Sequence, residues 1–141
     1  MKQEEEQLLL RDLCARLPYG VKISTPELWT SEKKIEVLNE IFKGDDGLYR
    51  VNDSGMLIEY IKPYLRPMSN MTEEECDMVE EILGDKCIFD FMCNGDIILK
   101  QGQFSQNKLA KLYDYYNSIH VDYHNLIPKG LAIDAANLNI Y

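Results

Sequence analysis

Long apolar runs are missing from this sequence. None approaches the roughly 20 residues that cross a bilayer, and the first ten, MKQEEEQLLL, carry acid where a secretory leader needs positive charge. The expectation is a cytoplasmic protein without membrane contact. Paired cysteines are missing too: Cys14, Cys76, Cys87 and Cys93 form no CxxC, so neither a zinc ribbon nor a thioredoxin-like redox motif is written here. In a reducing compartment they read as free thiols, most of them packed as small hydrophobes. Two N-x-S/T matches, at Asn52 and Asn70, carry no meaning without secretion. GxSxG, GxGxxG, P-loop and HExxH patterns are all lacking, so no catalytic residue, cofactor-binding residue or metal ligand is assigned by motif.

Basic charge is scarce as well. The formal net charge is -9, divided as -2 over residues 1–66, -7 over 67–104 and 0 over 105–141. Binding to nucleic acid by phosphate neutralisation needs a basic stripe, and the middle third is its opposite, so direct nucleic-acid binding is not expected. What remains is ordinary globular material, 45% hydrophobic and 28% charged.

Residues 3 to 17 have helical spacing, with Leu9, Leu10, Leu13, Cys14 and Leu17 on one face and Glu4 to Glu6 at the end where the helix dipole favours acid. Pro18 and Gly20 stop that helix. Short runs follow, GVKIST, KIEVLNEIF, LYRV and MLIEYI, joined by KGDDG and NDSG, whose Asp, Asn and Gly suit tight hairpin turns. The pattern predicts four strands in a meander. Ser31 could instead cap a helix burying Ile35, Leu38, Ile41 and Phe42, but the turn at 44–47 followed by LYRV calls for an antiparallel partner, which favours a strand over about 35 to 42. Lys62-Pro63 and Arg66-Pro67 impose extended backbone and mark a module boundary near residue 67.

The stretch YLRPMSNMTEEECDMVEEIL resembles a ligand motif at first sight. Its chemistry is that of a helix start: Thr72 as N-cap, Glu75 three residues on as capping-box partner, Met71 and Cys76 as hydrophobic staple, and Gly84 as the stop. Cys76, Val79, Ile82 and Leu83 then share one face, and Glu73, Glu74, Asp77, Glu80 and Glu81 the other. CIFDFMC and DIILKQG read as a hairpin turning at Asn94-Gly95, and Ser105 opens a last helix with Leu109, Leu112, Tyr113, Tyr116 and Ile119 as its stripe. The tail suggests a helical turn broken near Pro128 to Gly130 and an extended end.

These readings give an α+β fold: an N-terminal helix, a small antiparallel meander able to curl into an SH3-like barrel, then helix, β-hairpin and C-terminal helix. Residues 1–66 and 67–141 form its two modules, with room to pack as one unit.

Three segments, LPYGVKI at 17–23, IKPYLRPMSNMTEEE at 61–75 and HVDYHNLIPKGLAIDA at 120–135, resemble a group of short hypothetical proteins encoded by anaerobic gut bacteria and their prophages. That group combines runs like LPYGV, KPYLRPMSSMTEEE and HFDYRGLIEKGLALEA. The resemblance implies a bacterial or mobile-element origin and brings no activity, cofactor or site residue with it. His124 stands where the group usually has arginine, and the end, AANLNIY, lacks the usual proline and acid.

Candidate chemistry is thin. His120 and His124 have a zinc-like H-x3-H spacing, but the preceding helix runs out near 119 and no third ligand stands nearby, which favours ordinary hydrogen-bonded histidines. Cys76, Cys87 or Cys93 beside a histidine would make a nucleophile and base, yet each sits in an apolar run that packing explains. Tyr113 and Tyr116 could stack bases, but belong to the apolar stripe. The function expected is that of a non-catalytic protein-binding or accessory protein, with another protein as partner and no cofactor. A small hydrolase with a spatially assembled site and an acidic nucleic-acid mimic are the alternatives. Exposed edge strands leave room for a homodimer.

Overall fold

A computed structural model describes residues 2–27, 32–84 and 106–141. The chain divides into two units, Met1–Tyr64 with Leu126–Ile133, and Leu65–Asn125 with Asp134–Tyr141. The mixed α+β class holds, with helices and antiparallel strands in the predicted order.

In the first unit, α1 (Gln3–Arg16) starts with Glu4, Glu5 and Glu6 in its first turn and gives way at Leu17–Tyr19 to a single 3-10 turn closed by Gly20 at φ 66°. Its buried face is rotated from the expected stripe. Leu9 and Leu13 are fully buried, but Cys14 is exposed, Leu10 and Leu17 are half-buried, and Asp12 and Arg16 take buried places instead. These two lie one helical turn apart and join at 2.8 Å, so each offsets the charge of the other where water is excluded. The expectation that most cysteines pack inside fails at Cys14 for the same reason, since the ion pair holds the inner face. Cys14 and the half-buried Cys76 are free thiols; Cys87 and Cys93 lie outside the described residues.

The predicted meander becomes two sheets. The strands β1 (Lys22–Pro26), β2 (Lys33–Val37), β6 (Lys62–Leu65) and β7 (Ile133–Asp134) stand in the order β2-β1-β6-β7. A three-stranded meander holds β3 (Ile41–Lys43), β4 (Tyr49–Val51) and β5 (Met56–Leu57). The single strand expected over 35–42 is therefore broken at residues 38–40. Leu38 turns inward there, fully buried with its N–H on the Val21 carbonyl at 2.9 Å, and Asn39 and Glu40 leave the first sheet for the second. The MLIEYI run is also cut short, passing from β5 through a 3-10 turn at Ile58–Tyr60 that buries Ile58.

The clasp between the two sheets is Asn52, in the NDSG turn, at φ 55° and buried. Its side-chain amide donates to the Val37 carbonyl at 2.9 Å and to Glu36 Oε1 at 3.0 Å, and its Oδ1 accepts from the Asn39 and Glu40 amides at 2.7 and 3.3 Å. Asparagine tolerates the left-handed backbone better than most residues, and its short amide reaches donors and acceptors at once.

In the second unit, α2 (Glu73–Leu83) and α3 (Gln106–Ser118) pack through Val79, Leu83, Leu112 and Tyr116, joined by Met68 and Val121. The reading of α2 holds at both ends: Thr72 and Glu75 form the reciprocal capping box, and Gly84 closes the helix at φ 70°. The hairpin expected over CIFDFMC and DIILKQG, and Ser105 as helix start, lie outside the described residues. The chain then crosses beside Arg66, whose N–H bonds the His120 carbonyl and whose carbonyl accepts from Asp122, both at 2.8 Å.

Candidate functional site

The motif that looks most like a site is a structural lock. Arg66 uses all five guanidinium hydrogens: Nε on Asn70 Oδ1, Nη1 on Glu75 Oε2 and the Ile119 carbonyl, Nη2 on Glu75 Oε1 and the Asn70 carbonyl, at 2.6 to 3.1 Å. Glu75 Oε1 also takes the Thr72 N–H at 2.8 Å. Hydrogen bonding to Arg66 holds the Glu75 carboxyl below its usual range against the opposing pull of burial. With both partners engaged, this cluster has no donor left for a ligand; it fixes how α2 starts and where the chain returns after α3.

The other sequence candidates separate. α3 ends at Ser118, so His120 and His124 do not share a helix face: His120 adopts φ 62° and stacks on Tyr141 at 3.8 Å, while His124 lies against Tyr123 at 4.2 Å. Among the described residues no group of three His, Cys, Asp or Glu side chains is placed to hold a metal. Tyr113 and Tyr116 both stack on Tyr123, at 5.2 and 5.6 Å, and Tyr116 is buried in the core, so these rings are spent on packing. Glu73, Glu74, Asp77 and Glu81 of α2 face solvent as expected, whereas Glu80 is half-buried.

One edge of the four-stranded sheet is β2, which has β1 as its one strand neighbour among the described residues. Bonds from Leu38 to Val21 and from Glu27 to Glu32 fix which residues face β1, and leave Lys33, Ile35 and Val37 with backbone groups directed outward. Asn52 already occupies the Val37 carbonyl, which shortens the open edge to about two residues.

On the sheet face that carries Lys34 and Glu36 lies a cleft of about 520 Å³. This falls within the range of about 300–1,000 Å³ common for ligand sites. One wall is Thr25, Pro26 and Glu27 of β1 and its end, with Lys34 and Glu36 of β2; the other is Arg50, the turn at Ser54 and Gly55, and Met56, Leu57 and Tyr60. Sequence reading missed it because the lining comes from four separated stretches, each ordinary by itself. The charges are unequally engaged. Arg50 is tied back by Asp46 at 2.7 Å and the Gly55 carbonyl at 3.0 Å. The Leu48 amide, and then Arg50, hold the Asp46 carboxyl below its usual range. Glu36 is set in place by Asn52, and Lys34 reaches its second oxygen only at 3.8 Å.

The chain matches no protein-family model, no curated protein and no solved structure. No helix among the described residues is long and apolar enough to cross a membrane.

Proposed function

We propose that this is a non-catalytic binding protein, an accessory factor of a bacterial genome or mobile element acting in the cytoplasm, whose N-terminal unit holds a segment of a partner protein. The observation that carries the reading is the cleft: a sizeable space with an apolar wall of Met56, Leu57 and the exposed ring of Tyr60, and with Glu36 and Arg50 held by the protein's own bonds. Tyr60 is the one cleft residue among the exposed large apolar side chains of the described residues, and an exposed aromatic ring in a cleft favours protein contact. The net charge of -9 opposes nucleic acid. The test is recovery of the tagged full-length chain from lysate of its host, with and without nuclease. One polypeptide held in near-equal amount and insensitive to nuclease is expected; recovery that disappears with nuclease would overturn the reading.

One observation favours a small hydrolase as the second reading: Glu27 and Glu36 line the same cleft, and paired carboxylates do acid and base work. Turnover of chromogenic ester, phosphate or glycoside substrates that is lost in Glu36→Gln would establish it.

A further inference from the structure

We infer that the cleft takes a cationic side chain, a lysine or arginine on an extended segment of the partner, with Glu36 as its anchor; this rests on the binding role proposed above. Glu36 is about four-fifths buried, a costly place for a carboxylate without donors. Asn52 fixes its Oε1 at 3.0 Å and so fixes its rotamer. Among the described residues its Oε2 has only the Lys34 ammonium, at 3.8 Å, beyond hydrogen-bond length, and Lys34 is 60% exposed. The other cation of the cleft, Arg50, is neutralised by Asp46, so it neither satisfies Glu36 nor repels a second positive group. Glu27 adds a further carboxylate to the same lining.

The walls suit the rest of such a side chain. Lysine and arginine carry three or four methylenes behind the charge, which pack on apolar surface while the head reaches a carboxylate. Met56 and Leu57 offer that surface, and Tyr60, 58% exposed, presents a ring over which a cation is attracted. An acidic segment would meet the Glu36 carboxylate where the cleft offers its least engaged polar atom. A neutral apolar segment would fill the walls and leave Glu36 Oε2 buried without a donor.

The test uses the full chain and three capped pentapeptides that place arginine, norleucine or glutamate between two leucines, with binding followed by amide and methyl chemical shifts. The arginine peptide is expected to move the signals of Thr25, Glu36, Met56, Leu57 and Tyr60 and to bind at least about tenfold more tightly than the other two, as a charged hydrogen bond predicts. Glu36→Gln keeps an acceptor for Asn52 and should remove that preference. Lys34→Met, which removes the competing ammonium, should tighten the arginine peptide about threefold. Equal binding of the norleucine peptide, or an arginine preference that survives Glu36→Gln, overturns the inference and leaves the cleft a partner site of another chemistry. Absence of shifts with all three peptides also overturns it, while the co-purification of a partner tests the binding role separately.

Discussion

Arg66 and Glu75 meet side by side, with guanidinium nitrogens 2.6 and 2.8 Å from the two carboxylate oxygens and both side chains more than four-fifths buried. The remaining guanidinium hydrogens go to Asn70 and Ile119, so one arginine joins the start of α2 to the end of α3. Arg66→Lys replaces five fixed donors by three movable ones and should cost about 2 kcal/mol, from two bonds lost. Urea denaturation of the two proteins measures it.

The same pair sets a pH dependence. The folded state holds the Glu75 carboxyl below its ordinary range, mainly through Arg66. Its contribution is therefore complete above the ordinary glutamate value of about 4.3 and is lost as pH falls through the lower folded value. Stability measured from pH 7 to pH 3 should fall less steeply in Glu75→Gln than in the native chain over that acid window. An identical slope would remove this carboxylate from the acid response.

Asn52 makes a separable prediction, because its side chain and its backbone stabilise the fold differently. Asn52→Gly loses four side-chain hydrogen bonds and keeps easy access to φ 55°, for a cost of about 2–4 kcal/mol. Asn52→Ala should cost about 1 kcal/mol more, from the left-handed backbone alone. Comparison of the two variants by thermal or urea unfolding isolates the backbone contribution.

Asp12 and Arg16 test the buried ion pair of α1. Asp12→Ala removes the carboxylate beside a buried guanidinium and should destabilise by about 3–5 kcal/mol, whereas the double change Asp12→Leu with Arg16→Met should recover most of that loss. Equal loss in both variants would mean that the pair acts through contacts other than its charges.

The legible parts of this fold were those whose causes are local. Thr72, Glu75 and Gly84 lie within thirteen residues, and each acts on backbone groups of its own helix, so α2 could be placed from the sequence. The stripe of α3 follows likewise from Leu112 and Tyr116 at helical spacing. The illegible parts depend on distance along the chain. Asp12 and Arg16 read like any surface pair one turn apart, since spacing carries no information on which face is covered. The break at 38–40 depends on Asn52, a residue twelve or more positions away, whose amide substitutes for a strand neighbour. For the cleft the gap is wider still: Glu36, Arg50 and Tyr60 become one site only when two sheets are clasped, and neither the clasp nor the cleft leaves a linear pattern.

The central claim is that the N-terminal cleft holds a partner, and Tyr60 tests it most directly. Its ring lines the cleft and is largely exposed, so Tyr60→Ala should change stability by no more than about 0.5 kcal/mol. Tagged native chain and Tyr60→Ala chain would be recovered side by side from host lysate and the bound polypeptide quantified by mass spectrometry. The account predicts one polypeptide near equal amount with the native chain and at least about tenfold less with the variant, as loss of an aromatic anchor does. A partner retained equally by both chains, or none retained by the native chain, would contradict it.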